Sequence, residues 1–505
     1  MADDPITLAI GPWLPDLPAL GNPGCTQARN VYPKTSKGYG PWPSPMPYSG
    51  ALDARCQGGA AFIDKLGNVS MFAGDAGKLY RLISGSVGWV DVSRGGGYAT
   101  PQDGQWNFSY ANGLAIATNY NDAIQSFDLA SSSTFADLSP DAPRARYAAI
   151  VKNFLVLAGT YDPIDADQPQ RVWWPALNDP TNWPTPGTTA AAIVQSSFDD
   201  LLGDNGFCTG IVGNLGNADG AVFMERAVFR MIYSGPPEVF DFPPAEGVQG
   251  CVAPNSIVQY GNVAYYVAAD GPYYFDGLES APIALDQWAQ TFLGDLDQGY
   301  LDRVVGAVDP VNHLILWAYP GQGNVNGNPN HLIVYNVRLK RGSILDVECE
   351  TVLRLLSIGY TLDELYTVLG YSLDTLPAPL DSRVWTGGLQ LLGTFDTLHK
   401  LNYFTGANLA ATVETMEVQP FVGRRTKFTG ARPLVDGGTP SIAVIKRELQ
   451  QSNPVATAPV AMNGLGLCPV RGSGRYVRGR IAMPAGSDFS QIQGLQLIAT
   501  PGGDR

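Results

Sequence analysis

Charged side chains are scarce in this chain of 505 residues. Asp, Glu, Lys and Arg together make up 15% of it, where about 25% is usual. Histidine occurs only three times, and none of the six cysteines lies in a CxxC pair. This spacing excludes the common zinc sites, so we expect no metal and no cofactor. The cysteines are instead expected to be buried free thiols in a reducing compartment.

Long hydrophobic runs are also missing, since no apolar stretch approaches the roughly 18 residues of a membrane-spanning helix. The first residues, MADDPITLAIG, are acidic where a signal peptide would be basic. We therefore expect a protein that is made in the cytoplasm and that does not insert into a membrane.

Catalytic motifs are absent as well. The chain contains no GxSxG, no HExxH, no Walker A sequence and no S-x-D-x-G-x-T-W box of the sialidase type. Adjacent carboxylates do occur at Asp199/Asp200 and Asp295/Asp297, but 46 acidic residues produce such pairs by chance. The sequence thus predicts that this protein is not an enzyme.

What the sequence does contain is a repeated unit of four short strands. One unit reads CTGIVGN, DGAVFMER, AVFRMIYSG and EVFDFPPA, and similar units recur about every 40 to 80 residues. The 58 glycines and 39 prolines separate these runs as turns. Four strands per unit, repeated in series, are typical of β-propeller blades, which must stack on one another to bury their faces.

The predicted fold is therefore all-β, with a β-propeller of about seven blades (six to eight) over residues 51–410. The segment RVWTGG is expected to be the first strand of the last blade. A short helical insertion is predicted near residues 349–380, where the sequence reads TLDELYTVLGYSLDTLP. Residues 1–50, rich in Pro and Gly, predict an extended arm, and residues 411–505 predict a C-terminal antiparallel β-domain.

Charge is divided unevenly between these regions. Residues 411–505 hold eleven Lys or Arg and six Asp or Glu, whereas residues 1–410 hold 21 basic and 40 acidic residues. An acidic body with a basic end suggests a docking surface at the C-terminal domain. Acidic surfaces that only maintain solubility remain an equally simple explanation.

The candidate docking residues are basic side chains of the C-terminal domain and aromatic side chains of the arm. In RYVRGRI, Arg478 and Arg480 lie two residues apart, so a strand presents both on one face. A solvated face and contact with DNA stay open as alternatives to a protein partner. The candidates are Arg424, Arg425, Lys427, Arg471, Arg475, Arg478, Arg480, Trp13 and Trp42.

Several segments, in their order along the chain, resemble the tail nozzle proteins of short-tailed, podovirus-type bacteriophages. This family is also described as packaged-DNA stabilisation or tail tubular proteins. The segments are GPWLPDLP with NVYP and GYGPWPSP, RVWWPALNDPTNW, VFMERAVFRMIYSGPPEVFDF, GCVAPNSIVQYGNVAYYVAADGPYYFDG, TLDEL with SLDTLP, and SGRYVRGRI.

The resemblance implies a structural protein of the virion tail, made in the host cytoplasm. Such proteins form a homo-oligomeric ring, usually a hexamer, below the head-to-tail adaptor. The ring is a conduit for DNA ejection that retains packaged DNA, is closed by a plug or needle protein, and carries tail fibres or tailspikes. Double-stranded DNA would pass through it without specific binding, because an acidic wall repels phosphate.

A second hypothesis belongs to another class: a carbohydrate-binding or depolymerase-type β-propeller that mediates host attachment. It predicts aromatic residues and paired acids that converge at one mouth of the propeller. It also predicts that the monomer binds saccharide, whereas a nozzle subunit self-associates.

Overall fold

The computed structural model describes residues 5–83, 87–163, 165–245, 247–357 and 387–503. Within them the chain is nearly all β. The predicted arm is built of short strands joined by tight turns. These strands are β1 (Ile6–Ala9), β2 (Cys25–Arg29), β3 (Val31–Thr35), β4 (Gly38–Pro41) and β5 (Pro43–Ala51).

Five four-stranded antiparallel sheets follow, each made of consecutive strands. They are blade 1, with β6 (Gly59–Ile63), β7 (Val69–Gly74), β8 (Leu79–Ile83) and β9 (Gly88–Asp91); blade 2, with β10 (Asn107–Ala111), β11 (Leu114–Thr118), β12 (Gln125–Asp128) and β13 (Ala136–Asp137); blade 3, with β14 (Arg144–Val151), β15 (Phe154–Asp162), β16 (Ala166–Trp174), helix α1 (Thr189–Val194) and β17 (Ser197–Asp200); blade 4, with β18 (Cys208–Gly213), β19 (Gly220–Met224), β20 (Val228–Gly235) and β21 (Val239–Asp241); and blade 5, with β22 (Val258–Tyr260), β23 (Val263–Ala268), β24 (Gly271–Phe275) and β25 (Ser280–Pro282).

Helix α2 (Ala289–Asp295) and the 3₁₀ segment Gln298–Arg303 lead into the remaining strands. Blade 6 has β26 (Val305–Asp309), β27 (Leu314–Tyr319), β28 (His331–Asn336) and β29 (Arg341–Asp346), and blade 7 has β30 (Thr351–Leu356), β31 (Gln390–Phe395) and β32 (Lys400–Asn408). The C-terminal strands are β33 (Ala411–Thr415), β34 (Thr426–Val435), β35 (Ser441–Arg447), β36 (Val455–Ala456), β37 (Val460–Ala461), β38 (Gly472–Gly474), β39 (Tyr476–Met483) and β40 (Ile492–Pro501).

Local turn chemistry explains why these runs fold into hairpins. Asn112 and Gly113 join β10 to β11 with φ of 52° and 93°, the left-handed pair that a two-residue hairpin turn needs. Another hairpin lies between Gly261 and Gly277, with Ala268 opposite Gly271 in the β23–β24 pair.

The blades close into a ring, which confirms the predicted seven-bladed propeller. The first strand of each blade is the innermost one, and β30 of blade 7 packs against β6 of blade 1. Buried side chains fill the space between neighbouring blades; Phe72 of blade 1, for example, packs against Phe127 of blade 2 with ring centroids 5.1 Å apart. Burial of this kind is the main driving force for closing the ring.

The outermost strand of blade 7 comes from the opposite end of the chain. Strand β5 pairs antiparallel with β32, and Met46 lies opposite Tyr403. Three prolines of β5 occupy alternate positions, Pro43, Pro45 and Pro47, which an outermost strand tolerates because its free edge needs no ladder donors.

Two details of the predicted seventh blade need correction. Its innermost strand is β30, which includes residues assigned from sequence to the start of the helical insertion near 349–380; Thr351–Leu356 is a strand and not a helix. The prediction that RVWTGG is the first strand of this blade is wrong, because β30 holds that position. The first four residues of RVWTGG, like the rest of the predicted insertion from 358 on, lie outside the described residues.

Strands from the two ends of the chain combine outside the ring. Blade 6 continues through a parallel contact of β29 with β2 (Ile344 with Arg29) into β33, β39, β35 and β36. A second sheet has the order β3-β4-β40-β34-β38, with β1 also on β40. One hydrophobic core joins these sheets to blades 5 and 6, from Leu8 to Ala499.

Candidate interaction surface

The basic residues of the C-terminal strands form two groups with different surroundings. In the first group, Lys427 of β34 lies opposite Ser473 of β38. Arg471 and Arg475 flank β38, two residues on either side of Ser473. Thr426 and Phe428 point into the core, so the exposed Lys427 points outward. We call Lys427, Arg471 and Arg475 the basic sheet edge.

The turn before β34 lies next to this edge. Arg424 is exposed, and Val422 beside it is 89% exposed. The Arg425 guanidinium pairs with Glu448, at 2.5 Å between Nη2 and Oε1. An ion pair that is so open to solvent contributes little to stability.

The second group, Arg478 and Arg480, is committed within the chain. The predicted alternation is confirmed, because Val477 and Gly479 are buried while both arginines lie on the other face. Both guanidiniums, however, bind Glu414 of the neighbouring strand β33, at 3.2 Å from Arg478 and 2.6 Å from Arg480. Both arginines, which the sequence offers as docking candidates, thus already have an ion-pair partner within the chain.

The carboxylates that bind arginines in these strands are not among the residues predicted from sequence. Glu414 and Glu417 are almost completely buried, and Glu417 accepts two hydrogen bonds from Nε of Arg447, at 2.9 and 3.0 Å. Their signal is visible in TVETMEVQP, where acids interrupt a strand of buried positions, but only the fold shows which cations they meet.

Trp13 and Trp42 have internal roles, which corrects their assignment as docking residues. Trp13 is 3% exposed and stacks on Trp288, with ring centroids 6.3 Å apart. Trp42 is 4% exposed and lies edge-on to Tyr32 and Phe404. These aromatic residues do anchor the arm, but the surface they anchor it to belongs to this chain.

The mouth of the propeller is a second candidate surface. It is the face at which the innermost strands begin and at which the links between blades cross. A central cavity of about 250 Å³ is lined by innermost residues of several blades, among them Gly59, Asn107, Tyr147 and Leu353. The link before β10 lies across this face, and the Gln105 side-chain amide donates to the Asp302 carbonyl over 3.3 Å.

A second cavity, of about 480 Å³, lies on blade 3. The Trp173 and Trp183 rings meet edge to face in its wall, with centroids 6.5 Å apart, and Arg144 covers the ring of Tyr161 at 3.8 Å. Among the acids near it, Asp162 pairs with Arg171. The cavity combines aromatic side chains with a charged group outside the propeller mouth.

Three of the four paired carboxylates singled out in the sequence have structural partners. Asp200 pairs with Arg171 at 2.7 Å. Asp295 accepts a hydrogen bond from the Tyr319 hydroxyl at 2.8 Å, and Asp297 accepts one from Asn324 at 3.0 Å. Across the described ranges we find no group of three or more His, Cys, Asp or Glu residues placed to hold a metal ion. No helix in those ranges is long and apolar enough to span a membrane.

No protein-family model and no curated protein matches this chain. Among solved structures, a chain from "Crystal Structure of Mitotic Checkpoint Complex" is similar over 72% of this chain and 93% of that one. The two chains are 9% identical and superpose with a TM-score of 0.38. A likeness this distant has no bearing on what the present protein does.

Proposed function

We propose that this protein is a structural, non-enzymatic subunit of the tail nozzle of a short-tailed bacteriophage. In this proposal several copies, six by resemblance to the family, form a ring below the head-to-tail adaptor. The ring retains packaged DNA, conducts it during ejection without binding it specifically, and carries fibres or spikes. A plug or needle protein closes it in the mature virion.

The observation that carries the proposal is the separation of charge along the chain. Residues 1–410 are acidic overall, whereas residues 411–505 are basic overall. Lys427 and Arg471, both exposed, lie at the edge of a sheet, where β38 is the last strand in the order. Opposite charges steer an encounter between an acidic surface and this edge. The order of the resembling segments along the chain supports the same assignment.

Native mass measurement tests the proposal directly. A nozzle subunit is expected to form a closed oligomer of about six copies of the 53.9-kDa chain, visible as rings by electron microscopy. A chain that stays monomeric at high concentration, alone and with tail-free filled heads, would contradict the proposal.

The docking surface is tested by a double change, Lys427→Glu with Arg471→Glu. Both side chains are exposed and no ion pair involves them among the described residues, so the monomer should fold normally. Attachment to filled heads or self-association should fall at least tenfold. A matched double change, Lys37→Glu with Lys65→Glu, alters charge equally on exposed residues elsewhere and should have no effect.

The alternative function, saccharide binding for host attachment, is favoured by one observation, the aromatic cavity of blade 3. Aromatic rings beside charged groups suit sugar rings. Titration of the chain with host surface polysaccharide, compared between wild type and Trp173→Ala, separates the two hypotheses. Saturable binding by a monomer that depends on Trp173 would favour attachment over the nozzle.

A further inference from the structure

A cavity of about 390 Å³ opens at the propeller mouth, where blades 6, 7 and 1 meet. Links between blades and turns within blades supply its walls, so its residues come from distant parts of the sequence. Its volume lies in the range of small-ligand sites. The polar side chains that line it include Arg55, Thr100, Arg303, Asn326, Asn328 and His399.

Two arginines converge in this cavity on a single neutral acceptor. Nη2 of Arg55 and Nη2 of Arg303 both donate to the carbonyl oxygen of Gln102, at 2.6 and 3.0 Å. Arg303 is 4% exposed. One peptide carbonyl satisfies one donor of each guanidinium but neutralises neither charge.

The carboxylates nearby are engaged in other contacts. Glu350 lines the cavity, but its two oxygens accept from the Cys56 backbone at 2.8 Å and from His399 Nδ1 at 2.6 Å. Oδ2 of Asp302 lies 3.5 Å from Nε of Arg303, so the carboxylate attracts the guanidinium without accepting a hydrogen bond from it. Asp302 lines the neighbouring cavity.

Donors are left over as a result. Among the described residues, Nη1 of Arg55 and Nε of Arg303 are buried and have no hydrogen-bond partner. A buried charged donor without an acceptor is costly, so such groups are rare in native proteins. Burial and the neighbouring charge of Arg303 lower the pKa of Arg55 to about 10, so the Arg55 guanidinium stays charged at neutral pH.

We propose that this cavity binds a small oxyanion, the phosphate or carboxylate group of a ligand, between Arg55 and Arg303. Guanidinium forks match the planar edge of either group and form charge-assisted hydrogen bonds with it. The amides of Asn326 and Asn328 supply further donors at the rim. This site is independent of the basic sheet edge and of the nozzle proposal.

Calorimetric titration of the full chain tests the site with three probes: inorganic phosphate, glucuronate and glucose. Saturable binding of phosphate or glucuronate is expected, and the tighter of the two identifies the oxyanion as phosphoryl or carboxylate. Glucose, which matches glucuronate in its hydroxyls but has no charge, should not bind. The absence of saturable binding by both anions, or equal binding of glucose, would overturn the proposal.

Variants locate the binding. Arg55→Met should lower the affinity for the anion at least tenfold. Arg471→Met, which removes the same charge far from the mouth, should leave this affinity unchanged. Circular dichroism shows whether Arg55→Met is folded. If Arg55→Met is unfolded, Arg55→Lys replaces it, because lysine keeps the charge without the guanidinium fork. The affinity of Arg55→Lys for the anion should be at least threefold lower than that of the wild type. Unchanged affinity in the folded Arg55 variant, or an equal loss in Arg471→Met, would show that the two arginines only clamp the link at Gln102.

Discussion

Individual charged residues in the C-terminal sheets differ sharply in what they contribute. Glu417 is 1% exposed and binds Arg447, whereas Glu448 is accessible and binds Arg425 near the surface. The sequence treats these pairs alike, since each is an acid and an arginine on neighbouring strands or turns. Burial decides that the first is structural and the second is dispensable.

Glu417→Gln should therefore lower the free energy of unfolding by about 3 kcal/mol, because it leaves the Arg447 charge without its anion in a dry site. Glu448→Gln, the matched change at the exposed pair, should cost less than about 1 kcal/mol. Urea denaturation followed by tryptophan fluorescence measures both. Equal losses would mean that burial does not distinguish the two pairs.

The six cysteines are buried free thiols, as the sequence predicts. Burial raises the pKa of Cys25, Cys208 and Cys349 to about 12 and that of Cys251 to about 11. Since the thiolate is the reactive form, the folded chain should react negligibly with Ellman's reagent at pH 8. All six thiols should react in guanidinium chloride. Rapid labelling of the native chain would show that the cores between blades open readily.

At the scale of elements, the strand that closes the ring is β5. A propeller whose first and last blades share no strand is held together only by side-chain packing. Here Ala51 lies opposite Lys400 and Met46 opposite Tyr403, so main-chain hydrogen bonds join the two ends of the propeller. The ring cannot open without breaking this pairing.

A disulfide across this closure, Ala51→Cys with Lys400→Cys, should form in the monomer and stabilise it. It would close a loop of several hundred residues, whereas the control pair Ser126→Cys with Ala136→Cys closes a loop of about ten within one hairpin. In the chain-entropy model the larger loop gives about 3 kcal/mol more stabilisation. Thermal unfolding with and without reductant measures the difference. Failure of the first pair to oxidise, when the control pair does, would contradict the register.

At the scale of the whole molecule, the net charge of −14 conceals a division between body and end. The N-terminal strands β1 to β4 lie within the C-terminal sheets, so the basic end is fused to the ring through a shared core. Such a molecule presents surfaces of opposite sign in fixed positions, which suits head-to-tail contact between identical copies.

Self-association should consequently weaken as salt rises. Between about 50 and 300 mM NaCl the Debye length falls by a factor of about 2.4, because it scales with the inverse square root of ionic strength. Exposed charges across an interface then lose most of their steering. Analytical ultracentrifugation should show a higher apparent Kd at the higher salt concentration. The Lys427→Glu/Arg471→Glu variant should lose most of this dependence. A salt-independent oligomer would point to an apolar interface instead.

The sequence alone was sufficient for the class of fold and the strands of most blades. Short β-branched and aromatic runs, separated by turns such as Asn112-Gly113, are local signals, and seven units of four strands follow from them. The buried state of the cysteines and the common face of Arg478 and Arg480 were also predictable, because composition and a period of two need no partner.

Only the tertiary structure decided which distant segments meet. The pairing of β5 with β32, the burial of Trp13 and Trp42, and the binding of Arg478 and Arg480 by Glu414 all depend on register between strands far apart in the chain. The Arg55–Arg303 cavity is built in the same way, from links between blades. A strand's sequence specifies its alternation, but its neighbour is selected by the packing of the complete core, and no local pattern contains that information.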